Sequence, residues 1–233
     1  MVYMGSKRRI AKYILPFLKE NLNGDNYFVD AFCGGCNLVD KLDYPLRIAN
    51  DINKYLIALF NHLQTGGQLP SNLIKDKYYQ IKNDKDRYDD WYVGYSAFLC
   101  SSMGKFFESY VSDNWETKTK VRNYQTEQKN NILKQMPALH NVCFTNNSYS
   151  DMRIPAGAVI YCDPPYKGTR GYRSIFDHDK FYQWCREMKA NGHTIFISEY
   201  QMPEDFKCVW QMDIKDTLSA KNTIVKTEKL FTL

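Results

Sequence analysis

Apolar positions along the chain fall into two patterns. Short continuous runs closed by glycine, proline or an acid predict buried strands, and runs spaced three and four residues apart predict helices packed on them. Tyr27-Phe28-Val29-Asp30-Ala31-Phe32 is the first such run, and it empties into Cys33-Gly34-Gly35, a tight glycine turn. Leu46 to Asp51 is the second, followed by Leu56, Leu59, Phe60 and Leu63 on one side of a helix. Ala158 to Cys162 and Thr194 to Ser198 predict two further strands. Between them Phe181, Trp184, Cys185 and Met188 share one helical face, and Asn191-Gly192 stops that helix. Val209 to Asp213 and Thr223 to Phe231 alternate as an antiparallel hairpin would. At the start, a short basic helix after Ser6 is expected to break or kink at Pro16, because an interior proline removes a hydrogen bond and clashes.

Thr65 to Met136 differs in character. Polar and charged stretches surround one aromatic and small-residue segment, Trp91 to Tyr110, without strand-helix alternation. It predicts an inserted subdomain that returns the chain to the sheet near Val142-Cys143-Phe144. The expected fold class is α/β: a mostly parallel sheet closed by a C-terminal antiparallel hairpin, with a mainly helical insert. Residues 1–55 and 139–233 would form one domain, and 56–138 the insert.

Composition narrows this picture. The 233 residues can bury one sizeable core or two small ones, and 44% hydrophobic with 15% aromatic content excludes a disordered chain. Lys plus Arg outnumber Asp plus Glu by 31 to 26, a formal +5 that permits a polyanionic partner without requiring one. No apolar run approaches a membrane span and no signal-type segment follows the N-terminal Lys7, Arg8 and Arg9, so a cytoplasmic protein with no membrane partner is expected. The seven cysteines are odd in number and scattered, as reduced thiols would be. Cys33-x-x-Cys36 lacks a second pair or a nearby histidine, and His62, His140, His178 and His193 show no ligand spacing, so no metal is expected. His178, beside a helix start, is expected in a capping role.

Two constellations carry chemistry. In the first, the Gly34-Gly35 turn follows one strand and Asp51 ends the next. Ligands of open α/β sheets bind beyond the carboxyl ends of strands, where such an acid can hold ribose hydroxyls. The alternative is that the glycines serve a sharp turn and Asp51 caps the next helix. The pattern G-x-G-x-x-G is absent, which counts against a dinucleotide oxidoreductase. The second constellation, Asp163-Pro164-Pro165-Tyr166, directly follows a strand. Two prolines cannot continue a central strand, so the chain leaves the sheet in a rigid loop. There the Asp163 carboxylate and the Pro164 carbonyl can converge on one NH2 group, while Tyr166 offers an aromatic face to its carrier. Acceptors drawing on an exocyclic amine favour a pyramidal nitrogen able to attack an electrophile. A proline-rich turn capped by Asp163 is the competing structural account.

With these motifs in this order, the chain resembles the Dam-type DNA adenine-N6 methyltransferases. The likeness takes in Tyr3-Met4-Gly5-Ser6-Lys7, Asp30 to Gly35, Asn50 to Asn53, Gly94 to Phe98 with Gly104 to Phe107, and Asp163 to Tyr166. It implies a Rossmann-like S-adenosylmethionine-dependent methyltransferase sheet. It also implies transfer of a methyl group from S-adenosylmethionine to adenine N6, without a covalent enzyme intermediate. Asp163, Pro164 and Tyr166 match the catalytic motif. Tyr3, Lys7, Asp30, Phe32, Gly34, Asp51 and Asp163 match cofactor positions, with Tyr149, between Ser148 and Asp151, as a looser match. Cys36 departs from the commoner F-x-G-x-G, which has glycine there.

The resemblance further implies duplex DNA as partner, a target base turned out of the helix, and Tyr166 stacked on it. Arg170 and Arg173, in a glycine-hinged basic loop, Arg8 at the N-terminus, and Lys120 and Arg122 in the insert are candidate DNA contacts, together with Lys118 and Lys129. The positive charge is expected on the DNA-facing side. A cognate restriction endonuclease in the same host is a further partner the resemblance allows, and the chain is expected to be a monomer. Methylation of another amine, cytosine N4 or an RNA or protein amide, and a DNA-binding relative without catalysis stay open.

Overall fold

The computed structural model describes residues 1–112, 115–116, 121–167, 176–216 and 224–233. Lys118, Lys120, Arg170 and Arg173 lie outside them. In chain order, the described elements begin with α1 (Ala11–Glu20), β1 (Phe28–Asp30), β2 (Arg47–Asn50) and α2 (Lys54–Gln64). The middle of the chain holds α3 (Lys75–Asn83), α4 (Asp90–Gly94), β3 (Trp115–Glu116), β4 (Val121–Arg122) and α5 (Tyr124–Gln135). The sheet then resumes with β5 (Val142–Thr145), β6 (Val159–Cys162), α6 (His178–Ala190), β7 (Thr194–Glu199), β8 (Lys207–Asp216) and β9 (Ile224–Thr232).

Seven strands form one sheet in the order β5-β2-β1-β6-β7-β9-β8. The pairings from β5 to β7 are parallel, and β9 runs antiparallel to both β7 and β8. The expected hairpin closes the sheet. Every residue of β1, β2 and β6 is buried, which is why these strands read as continuous apolar runs: helices cover both faces of a parallel sheet. On one face, Val29, Ile160, Ile195 and Ile197 pack with Phe181, Trp184 and Cys185 of α6. On the other, Phe28, Ala49, Val159 and Phe196 pack with Ile14 and Leu18 of α1, and with Leu56, Leu59 and Phe60 of α2. Tyr78, Tyr95, Phe98 and Leu99 of the middle segment join this second cluster.

Two expectations at helix ends change. Three residues after Ser6 form a 3-10 turn, Lys7–Arg9, whose N-cap Ser6 hydroxyl accepts from the Arg8 amide. The helix that follows is continuous through Pro16, not broken there. An interior proline costs about 3 kcal/mol, and the full burial of Ala11, Ile14 and Leu18 on one stripe outweighs it. At α6 the cap is Asp177, whose carboxylate accepts from the Lys180 amide, and not His178, which packs against Phe176.

The chain turns back at the junction of β1 and β6. From β1 it proceeds outward to β2 and β5, then returns to lay β6 on the other side of β1. This is a topological switch point, and the crevice beyond the strand ends there is where ligands of open α/β sheets bind. The middle segment reaches the same end of the sheet. A π-helical turn, Tyr95–Leu99, continues α4 and is wholly buried, with the Phe98 ring 5.8 Å from that of Tyr3. Gly104, at φ +62°, approaches so closely that a Cβ there would lie 2.1 Å from the Val2 carbonyl oxygen. Gly104→Ala is therefore expected to cost about 2–4 kcal/mol, read as a lowered urea midpoint at unchanged m-value.

Candidate active site

The glycine turn after β1 is pinned from three directions. Asp51, just past β2, accepts from the Gly34 amide at 3.0 Å and from the Asn53 amide at 2.8 Å. Gln135, buried at the end of α5, donates its amide hydrogens to the Gly35 and Cys36 carbonyls at 2.9 and 3.0 Å. The Tyr3 ring lies on Gly34 and Gly35, where a Cβ on either would stand 2.6 Å from a Tyr3 atom. Asp51 thus holds the turn, while the cap of α2 is Asn53, whose side chain accepts from the Leu56 amide. A carboxylate has about four lone-pair sites, so Asp51 retains capacity for a ligand hydroxyl.

Cys36 adopts φ +54°, the left-handed region that favours glycine. Its position is the one where the commoner motif has glycine. The turn survives because the Cys36 carbonyl is held by Gln135 and its amide donates to the Cys33 carbonyl at 2.8 Å. Cys33 and Cys36 are both buried, and burial pushes their thiols up, away from the thiolate needed for redox or metal chemistry.

Beyond β6, Asp163 meets Lys7. The ammonium stands 2.9 Å from Asp163 Oδ1 and 3.7 Å from Glu228 Oε2, and 4.5 Å from the centre of the Tyr166 ring. Tyr166 donates its hydroxyl to Glu228 at 2.9 Å and meets Tyr200 edge to face at 4.6 Å. Burial pushes the Asp163 carboxyl up to about 6 against the opposing pull of Lys7. Lys7 is held above its ordinary value by Asp163 and Glu228, although its burial works the other way. Asp30, at the end of β1, is buried and accepts from the Phe32 amide; burial, with Asp163 and Asp51 adding, drives its carboxyl well above the ordinary range. Glu199, ending β7, accepts from the Lys167 and Tyr200 amides, and burial lifts it to about 7.

Over residues 3–230 the sequence matches the family described as D12 class N6 adenine-specific DNA methyltransferase. The chain belongs to this family. Among curated relatives, the modification methylase StsI of Streptococcus sanguinis is 26% identical over 223 residues, 85% of this chain and 33% of that protein. The retron Ec67 DNA adenine methylase of Escherichia coli is 23% identical over 207 residues, 79% and 72% of the two. The type II methyltransferase M.FokI of Planomicrobium okeanokoites is 22% identical over 199 residues, 72% and 29%. The D12-class chain therefore spans about a third of StsI and 72% of the Ec67 enzyme. The solved structure of SMU.472 complexed with SAH aligns with 98% of this chain and 52% of that one at 12% identity and TM-score 0.40, too distant to carry an argument.

Family membership brings S-adenosylmethionine as methyl donor, and the residues of this D12-class site fit it. Asp30, Asp51 and Asp163 are carboxylates raised by burial at one end of the sheet, and Lys7 is the cation paired with Asp163. A ligand carrying a sulfonium and an ammonium relieves that uncompensated acidity. Phe32 and Tyr149, 5.4 Å apart, lie against Phe181 of α6, beside the same turn. The structure brings Tyr3 and Gly34 into contact, links Lys7 to Asp163 and Tyr166, and keeps Pro164 buried between them in sequence.

The DNA candidates are placed less uniformly. Arg8 is exposed on the 3-10 turn, as is Arg9. Arg122 is engaged by Glu127, its Nε 2.9 Å from Oε1, and lies over the Tyr124 ring. Lys129 donates to the Pro70 and Ser71 carbonyls and so braces the loop before α3. Gln135, Glu199 and Glu228 escaped sequence reasoning. Glu199 had a usable signal, an acid closing an apolar strand, as Asp51 and Asp163 do; Glu228 and Gln135 had none. Exchanging Cys36 for glycine is expected to change stability by less than about 1 kcal/mol, since relief of the left-handed backbone offsets the lost buried sulfur. Cys36→Val is expected to lose about 2–4 kcal/mol, and thermal melts of the two variants compare them directly.

Proposed function

We propose that this chain transfers a methyl group from S-adenosylmethionine to the N6 amine of adenine in duplex DNA, with the target base turned out of the helix. The arrangement that carries the reading is Asp163, Pro164 and Tyr166 at the switch point, next to the turn pinned by Asp51. Bound S-adenosylmethionine supplies an electrophilic methyl group. Tyr3, Lys7, Asp30, Phe32, Gly34, Asp51 and Tyr149 would hold it, with Asp163 shared between donor and base.

The protein's own work lies in the amine. The Asp163 carboxylate and the Pro164 carbonyl accept its hydrogens, which draws the nitrogen lone pair out of conjugation with the ring. Tyr166 supports the base plane. Residues 56–138 serve target recognition, and 1–55 with 139–233 form the catalytic unit. Arg8, Lys120, Arg122, Arg170 and Arg173 meet the DNA, Arg122 after release from Glu127. A monomer acting beside a cognate endonuclease fits this reading.

Incubation with labelled S-adenosylmethionine and unmethylated duplex DNA, followed by digestion to nucleosides, tests it: label is expected in N6-methyladenine. Label in N4-methylcytosine, or none in DNA, overturns it. Asp163→Ala is expected to cut transfer by about a hundredfold to ten-thousandfold while the protein still folds and retains DNA, at a lowered melting temperature because Lys7 loses its nearest acid. The pH dependence follows from the Asp163 carboxyl near 6. Only its ionised form is the strong acceptor, so transfer is expected to rise as pH climbs through about 6 and then level off. Lys7 holds that carboxyl down, so Lys7→Met is expected to move the rise to higher pH in an initial-rate profile.

A further inference from the structure

We propose that Glu228 is a positioning residue of the methyl-transfer site, acting through Tyr166 and Lys7. The inference rests on the function proposed above. Glu228 lies 62 residues beyond Tyr166 and belongs to no motif, yet the reversal of β9 against β7 carries it to the carboxyl end of the parallel strands. There Leu230 pairs with Ser198 and Lys229 with Glu199, which sets Glu228 at the mouth of the crevice. Its side chain is 16% exposed, and both of its described partners belong to the site.

One link is to Tyr166. Its ring hangs from a stiff Pro-Pro segment by two rotatable bonds and sits among Lys7, Tyr200 and Asp163. The hydrogen bond from its hydroxyl to Glu228, at 2.9 Å, fixes the tip of the ring and so the plane offered to a base. The other link is to Lys7. Were Asp163 its sole counter-ion, the ammonium would compete with the substrate amine for the carboxylate that must receive that amine. Glu228, 3.7 Å away, shares the charge of Lys7 and leaves Asp163 available. Asp163, Glu199 and Tyr200 also face Lys7, and Asp163 also hydrogen-bonds Tyr166, so Glu228 is one member of a set, the one that the antiparallel strand β9 carries in.

The test compares wild type with Glu228→Gln, Glu228→Ala, Tyr166→Phe and the double variant Glu228→Ala/Tyr166→Phe in steady-state transfer to duplex DNA. Glu228→Ala is expected to lower kcat about tenfold to a hundredfold while KM for S-adenosylmethionine moves less than about threefold. Glutamine keeps an acceptor for the hydroxyl, so Glu228→Gln is expected to recover part of the loss. The double variant should lose less than the product of the two single losses, because both changes cut the Tyr166–Glu228 link. Independently of activity, carbon NMR titration of Lys7 in the free protein should show its pKa lowered in Glu228→Gln. If wild type methylates adenine and Glu228→Ala keeps kcat within about twofold, or the two losses multiply, the positioning role falls and the function stands. If wild type methylates no adenine, the function falls, and an unmoved Lys7 titration removes Glu228 from the cluster as well. Should Glu228→Ala fail to fold, Glu228→Gln decides: wild-type kcat with an unmoved Lys7 overturns the proposal.

Discussion

One ammonium organises the carboxyl end of this sheet. Asp30, Asp163, Glu199 and Glu228 crowd there within one another's fields, and such acids are costly to bury unless a cation joins them. Lys7 is that cation. Its pairing with Asp163 is weak as a source of stability, since desolvation of both charges opposes their attraction, but it is strong as a constraint on where each can sit. The elements around Lys7 are arranged to hold it: Ser6 caps the turn that carries it, Tyr3 is wedged on the glycine turn, and Gly104 admits the strap formed by the first residues.

The sheet explains why acids from distant parts of the chain meet. Parallel strands all point their carboxyl ends one way, so Asp30, Asp51 and Asp163, each at or just past the end of a strand, arrive at one edge by direction alone. Glu228 arrives by the opposite route, in the middle of a strand that runs backwards. The antiparallel hairpin is thus more than a closure of the sheet. It supplies a residue that a wholly parallel strand order would have placed at the far end.

This difference of route separates what the sequence made legible from what it did not. The apolar runs at β1, β2, β6 and β7 and the helical spacing of α2 and α6 were readable, because burial on both faces leaves an unbroken hydrophobic signature. Asp163-Pro164-Pro165-Tyr166 was readable because prolines end a strand by covalent necessity. Pro16 does not break the helix: its local cost is real, but the buried stripe of Ala11, Ile14 and Leu18 decides the helix. Asp51 was legible as an acid ending a strand, but its hold on the Gly34 amide was not, since it spans residues that only pairing of β1 with β2 makes neighbours. Gln135 was hidden among the polar residues of α5, and the pairing of Arg122, a candidate DNA contact, with Glu127 depends on the first turn of the next helix.

The left-handed Cys36 shows that the glycine turn after β1 takes its shape from what surrounds it. Asp51 holds its beginning, Gln135 holds its carbonyls and Tyr3 covers its face, and within that grip Cys36 adopts a glycine-like conformation. A sequence pattern that insists on glycine there would pass over chains of this kind. What shapes the turn in this chain is the set of side chains that grip it, and those are scattered over more than a hundred residues of chain between Tyr3 and Gln135.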